Sequence, residues 1–212
     1  MKKYKGIIFD LDGVICNTDE FHYIAWKKLA DKLNIYFDRE INNRLRGVSR
    51  IKSLEIILEL SKRKYTDSEK AEFAEEKNDN YKKLLQKMSP NSLTEDVKST
   101  LTAIKKQDFK IAIGSSSKNT LYILERVGLS QFFDTVVDGN QIKHSKPNPE
   151  VFLKAAQNLN LCPNECLVVE DAFTGIEAAV NGGFDSAGIG DAYTDEKAVY
   201  HIKNLSDLMK IL

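Results

Sequence analysis

The sequence predicts an α/β fold, a doubly wound parallel sheet with a helical cap inserted after the first strand. Three observations lead there. A short apolar run near the start, residues 6–11, ends in Asp10-Leu11-Asp12-Gly13, the pattern of a buried strand delivering acids to a turn. Residues 19–88 then show helical spacing and no strand pattern. After Pro90, helical and strand patterns alternate to the end.

The elements follow in order. Ile24, Trp26, Leu29, Ala30 and Leu33 recur at helical spacing, and Ile51, Leu54, Ile57 and Leu58 do so again. Thr66-Asp67-Ser68-Glu69 is a capping box opening a charged helix that runs to about Met88. Val97, Leu101 and Ile104 mark a helix. Residues 110–113 form a strand ending in Gly114-Ser115-Ser116-Ser117, and 119–127 a helix stopped by Gly128. Residues 135–137 are a strand, and 149–159 a helix with Pro149 in its first turn. Residues 166–169 are a strand ending in Glu170-Asp171, and 174–181 a helix stopped by Gly182-Gly183. A strand at 186–189 and a helix at 206–212 close the chain. This is a Rossmann-like core of residues 1–17 and 90–212, with a cap domain at 18–89.

Composition narrows the function classes. The 212 residues suit one domain with a sizeable insertion, and need no disulfide or metal staple to fold. Equal counts of 31 basic and 31 acidic residues argue against nucleic acid or a membrane surface as partner. No apolar stretch approaches membrane-spanning length. Asp10 and Asp12 interrupt the early apolar run too soon for a signal peptide. Cys16, Cys162 and Cys166 read as free thiols of a reducing compartment, so the expected location is cytoplasmic and the expected state a monomer.

The polar residues at the strand ends carry the chemistry. In an open parallel sheet, ligands bind beyond the carboxyl ends of the strands. That edge gathers Asp10 and Asp12, Ser115, the loop Ser145-Lys146-Pro147, and Glu170 with Asp171. Clustered carboxylates without Cys or His make a hard oxygen site of the kind Mg²⁺ accepts. Ser115 and nearby amides supply donors for phosphate oxygens, and Lys146 adds a cation. Asp10 is then a nucleophile and Asp12 a general acid and base. Taken singly, each motif also has a structural reading: turn, loop, or helix cap. Their order and shared edge favour catalysis. Gly188-Ile189-Gly190 is only a fragment of a dinucleotide fingerprint.

With those motifs in order, the chain resembles the haloacid dehalogenase-like superfamily over essentially its whole length. The resemblance implies that Asp10 takes a phosphoryl group and binds Mg²⁺. It implies that Asp12 gives its carbonyl to the metal and its side chain to proton transfer. Ser115 and Lys146 would bind the phosphoryl group, and Glu170 and Asp171 would complete the metal site. The helical insertion is similar to the family's mobile cap. A narrower likeness, to the β-phosphoglucomutase group of isomerases, rests on Thr18, His22 and Trp26, on Leu45-Arg46-Gly47-Val48-Ser49-Arg50, on Lys77-Asn78-Asp79-Asn80, and on Ser115-Ser116-Ser117-Lys118-Asn119. It implies a sugar-phosphate substrate, glucose 1,6-bisphosphate as primer and intermediate, and a cap grip on the distal phosphate and sugar at residues 46–50. His22 and Lys77 would help hold Asp12 when the cap closes. Arg46 stands where a Lys is expected, and residues 93–97 lack a Pro-Gly that many relatives carry. A sugar-phosphate phosphatase on the same scaffold is the alternative enzyme, and a non-catalytic binding module the third reading.

Overall fold

The computed structural model describes residues 3–212. Six parallel strands form one sheet in the order β3-β2-β1-β4-β5-β6. They are β1 (Gly6–Phe9), β2 (Lys110–Gly114), β3 (Thr135–Val137), β4 (Cys166–Glu170), β5 (Asp185–Gly188) and β6 (Tyr200–His201). Four helices follow β1: α1 (Asp19–Lys32), α2 (Arg39–Asn43), α3 (Arg50–Leu58) and α4 (Asp67–Leu85). Four more alternate with the later strands: α5 (Glu95–Lys105), α6 (Thr120–Arg126), α7 (Glu150–Asn158) and α8 (Phe173–Asn181).

β1 is apolar throughout because both of its faces are covered. Ile7 and Phe9 enter one core with Ile111, Ile113, Leu167 and Val169. Ile8 points the other way, toward Ala112, Val168 and Phe152. The inserted helices have a core of their own, built on Trp26, Leu29, Leu54 and Ile57. Their separation is incomplete: Ala25, Tyr81 and Leu85 join the core on one face of the sheet.

Register positions the chemistry. Phe9 lies opposite Ile113 of β2 and Val169 of β4. The next residues, Asp10, Gly114 and Glu170, therefore leave the sheet side by side. The strand order reverses at β1, and such a switch point opens a crevice beyond the carboxyl ends.

Boundaries differ from the sequence reading in a few places. β1 stops at Phe9, two residues early, because the chain turns through Gly13, whose φ of +83° lies in the left-handed region. The helix opened by Thr66 has both halves of its capping box and ends at Leu85. Lys87 and Met88 make turn bonds, and extended Ser89 precedes Pro90. The final element is a 3₁₀ turn over Leu205–Lys210 rather than a helix reaching 212. α2 and β6 were not expected. Five and two residues are too few to show a period, and α2 depends on its cap, where the Ile41 amide donates to Asp38 Oδ1 at 2.9 Å. No helix among the described residues is long and apolar enough to cross a membrane. Cys16, Cys162 and Cys166 are free thiols.

Candidate active site

A cavity of about 500 Å³ lies between the inserted helices and the carboxyl edge of the sheet. Of the residues expected at the site, all but Thr18 line it: Asp10, Asp12, His22, Trp26, Arg46, Gly47, Val48, Ser49, Arg50, Lys77, Ser115, Ser116, Ser117, Lys118, Asn119, Lys146, Glu170 and Asp171. Thr18 is buried behind Asp12 and holds both of its oxygens. The Thr18 amide donates to Oδ1 at 2.7 Å, and its hydroxyl to Oδ2 at 2.6 Å.

Lys146 is fully enclosed and bridges two acids. Its ammonium donates to Asp10 Oδ1 at 2.5 Å and to Glu170 Oε1. The other oxygen of Glu170 accepts the Ala172 amide at 3.0 Å. Glu170 thus holds both Lys146 and the start of α8. Asp171 packs against Gly13, where an added Cβ would lie 2.1 Å from Asp171 Oδ2.

The inserted helices bring a second set of groups to Asp12. Lys77 on α4 is buried, with its ammonium over the Trp26 and Tyr81 rings at 4.7 and 4.5 Å. It lies 2.8 Å from His22 Nδ1. With Lys77 donating to Nδ1, the imidazole proton sits on Nε2, which faces Asp12 Oδ2 at 3.7 Å. Tyr81 adds its hydroxyl to Thr18 Oγ1 at 2.7 Å.

A separate polar cluster spans the mouth. Arg50 Nη1 donates to Glu75 at 3.1 Å, Asn78 donates to the other Glu75 oxygen at 3.3 Å, and Asn119 donates to Asn78 at 3.0 Å. The loop after β2 is set by the Ser117 amide donating to Ser115 Oγ and the Asn119 amide to Ser117 Oγ, both at 3.2 Å. Ser116 Oγ is buried and makes no hydrogen bond among the described residues. Such a hydroxyl beside a cavity is available to water or to a ligand. Ser49 caps α3, accepting the Lys52 amide at 3.3 Å.

Arg46 was expected to face the sugar. Its guanidinium instead meets Asp171, Asp191 and Asp19. Sequence reasoning also passed over Asp19, Glu75, Tyr81 and Asp191, and named Asn78 only as part of the motif Lys77-Asn78-Asp79-Asn80. Tyr81 could have been found, because it lies four residues after Lys77 on the same helical face. Asp191 carries no motif.

The model of the haloacid dehalogenase-like hydrolase family matches residues 7–189. The chain belongs to that family. A β-phosphoglucomutase of Bacillus subtilis is 39% identical over 206 residues, covering 96% of this chain and 91% of that protein. The crystal structure of a β-phosphoglucomutase from Clostridium difficile superposes with a TM-score of 0.91 at 39% identity, covering 97% of this chain and 93% of that one. Two phosphatases are also similar: a phosphorylated-carbohydrate phosphatase of Thermotoga maritima, 30% identical over 92% of this chain and 89% of that protein, and a fructose-1-phosphate phosphatase of Escherichia coli, 32% identical over 89% and 97%.

Electrostatics fit the chemistry of this family. Burial and then the neighbouring Asp19 raise the Asp12 pKa to about 7, against the lowering by its Thr18 bonds. A group titrating there can both give and take a proton near neutrality. Burial and then the Glu170 and Asp10 charges raise Asp171 as well. Burial pulls Lys146 down, but Asp10 and Glu170 outweigh it and hold its pKa up. Burial and nearby cations hold His22 and Lys77 well below their ordinary values, so His22 is neutral.

The Asp12 shift has a consequence for stability. Between its ordinary value of 3.8 and about 7, the folded protein keeps a proton that the unfolded chain has lost. This contribution is present in full at low pH and is lost as pH rises to about 7. Without metal, Asp12→Asn should therefore gain stability relative to the parent as pH rises from 4 to 7, by on the order of 3 kcal/mol. Urea titrations in EDTA across that range would show it; a constant difference would contradict it.

Proposed function

We propose that the protein is a β-phosphoglucomutase, interconverting β-glucose 1-phosphate and glucose 6-phosphate through an aspartyl-phosphate on Asp10 and a glucose 1,6-bisphosphate intermediate. The observation that carries the reading is one cavity that brings together two groups of residues suited to hold a phosphate. One is Asp10, Ser115 and Lys146 at the sheet edge; the other joins Arg50 to Ser116, Lys118 and Asn119. A mutase needs both, because its intermediate carries two phosphates and presents each in turn.

The residues divide the work as follows. Asp10 attacks the phosphorus of the bisphosphate; the phosphorus–oxygen bond to the sugar breaks as the bond to Asp10 forms. Lys146 and the Ser115 loop offset the phosphoryl charge. Asp12, held by Thr18 and faced by His22 Nε2, gives its proton to the departing sugar oxygen. In the reverse transfer it takes a proton from the attacking hydroxyl. We read residues 18–89 as the cap and 1–17 with 90–212 as the catalytic core. Closure of the cap excludes water from the phosphorylated Asp10.

Among the described residues, no three His, Cys, Asp or Glu side chains form a metal cage by themselves. Mg²⁺ needs only one or two carboxylates beside water and substrate phosphate. Asp10 and Asp171, with the Asp12 carbonyl, supply that set, and the buried excess of acid over Lys146 fits a divalent cation. When bound, Mg²⁺ would add positive charge at the phosphoryl oxygens.

The phosphatase names among the relatives support a second reading, hydrolysis of a sugar phosphate by the same Asp10 and Asp12. Arg50→Ala separates the two. A mutase should lose at least about tenfold in kcat/KM for the sugar phosphate, the effect of about 1.4 kcal/mol of grip. Its slow hydrolysis of a small phosphoryl donor should change little. Equal losses on both substrates would contradict a cap grip on the distal phosphate.

A further inference from the structure

Arg46 is the cap residue that pairs with Asp171 at the sheet edge. Its loop is seated on the first turn of α8, with the Thr174 hydroxyl donating to the Arg46 carbonyl at 3.4 Å. Gly47 makes this approach possible: its φ is +73°, and a Cβ there would meet Thr174 Oγ1 at 2.2 Å. The guanidinium then joins three carboxylates from three places. Nη2 pairs with Asp171 Oδ2 and with Asp19 Oδ2 at 3.1 Å, while Nη1 pairs with Asp191 Oδ2. Asp19 opens α1 at the base of the cap, and Asp191 lies on the core in the 3₁₀ turn after β5.

We infer that Arg46 and Asp191 form a latch that couples cap closure to the carboxylate of Asp171, so that closing the cap and binding the divalent cation reinforce each other. The inference rests on the reading of Asp171 as a metal ligand. Arg46 engages only Oδ2 of Asp171, the oxygen packed against Gly13, and leaves Oδ1 open. A ligand carboxylate fixed through its other oxygen is pre-oriented, and loss of such an outer partner typically costs 10- to 100-fold in metal affinity. One guanidinium among three carboxylates leaves negative charge in excess, so the latch does not replace a cation. Opening the cap would withdraw Arg46 and leave Asp171 unheld beside Asp10 and Glu170. Linkage then runs both ways: whatever cation binding gains from the latch, cap closure gains from the cation. Asp191 is half-exposed and touches the site only through Arg46, which makes it a positioning residue.

The test is calorimetric titration of the intact chain with Mg²⁺, alongside small-angle scattering with and without Mg²⁺. Arg46→Gln should weaken Mg²⁺ binding about 10-fold, and Asp191→Asn about 3-fold. Arg46→Lys, which keeps the charge, should recover most of the loss. Mg²⁺ should make the parent more compact and leave Arg46→Gln unchanged in size. Mg²⁺ affinity in Arg46→Gln that equals or exceeds the parent's would overturn the latch. Asp171→Asn is the control for the site itself. If it binds Mg²⁺ as the parent does, the metal assignment fails independently of Arg46.

Discussion

Asp10→Asn is expected to remove the phosphoenzyme and reduce mutase turnover by at least about 10⁴-fold, the scale on which loss of a nucleophile acts. The substitution keeps the shape of the side chain. It leaves Lys146 paired to Glu170, so the buried cation is not orphaned and the fold persists. The neutral amide has no anionic oxygen with which to attack phosphorus. Intact-mass spectrometry after incubation with a small phosphoryl donor reads the modification directly. Circular dichroism should match the parent. A stable phosphoryl adduct on the variant, or turnover near that of the parent, would move the nucleophile elsewhere.

Lys146→Met should produce the largest loss of stability. Lys146 is enclosed between Asp10 and Glu170 and rests on the Phe152 ring, its ammonium 4.8 Å from the centroid. Methionine fills similar space without the charge, and two buried carboxylates lose their shared counter-ion. Breaking a buried pair from one side costs about 3–5 kcal/mol. For a chain of this length that corresponds to a fall in Tm of roughly 6–20 °C. The loss should shrink in acid. Burial already raises the Glu170 pKa, and without Lys146 that carboxyl takes up a proton more readily still. Thermal melts of parent and variant at pH 5 and pH 8 test both statements. A difference below about 1 kcal/mol at pH 8 would mean that the bridge contributes little.

What the sequence could show follows from how each feature is encoded. β1, β2 and β4 were legible because parallel strands covered on both faces must be apolar runs; β3 and β5 were legible from their place in the alternation of helix and strand. The core acids and Ser115 were legible because they end or follow neighbouring strands at one edge, and Lys146 because its loop lies at that same edge. The direction of long side chains was not. Arg46 has the charge expected of a phosphate grip, but its loop is seated on α8 and turns it to Asp171. Glu170 stood as a metal ligand by position; the hydrogen bonds its two oxygens accept from Lys146 and Ala172 have no sequence signal. Glu75, Asn78 and Asp191 act through partners 25 to 145 residues away in sequence, and no local period records such pairings. His22 and Lys77 were placed beside Asp12 by likeness; their mutual contact and the ring stack with Tyr81 required the packing of α1 on α4.

In the proposed mutase, the closed cap keeps water from the phosphorylated Asp10 and gives the sugar a second phosphate grip. Phosphorus NMR of the protein with β-glucose 1-phosphate, Mg²⁺ and a trace of the bisphosphate primer tests it most directly. Conversion to glucose 6-phosphate with little inorganic phosphate is the expected result. Inorganic phosphate as the main product would contradict the claim and make the protein a phosphatase.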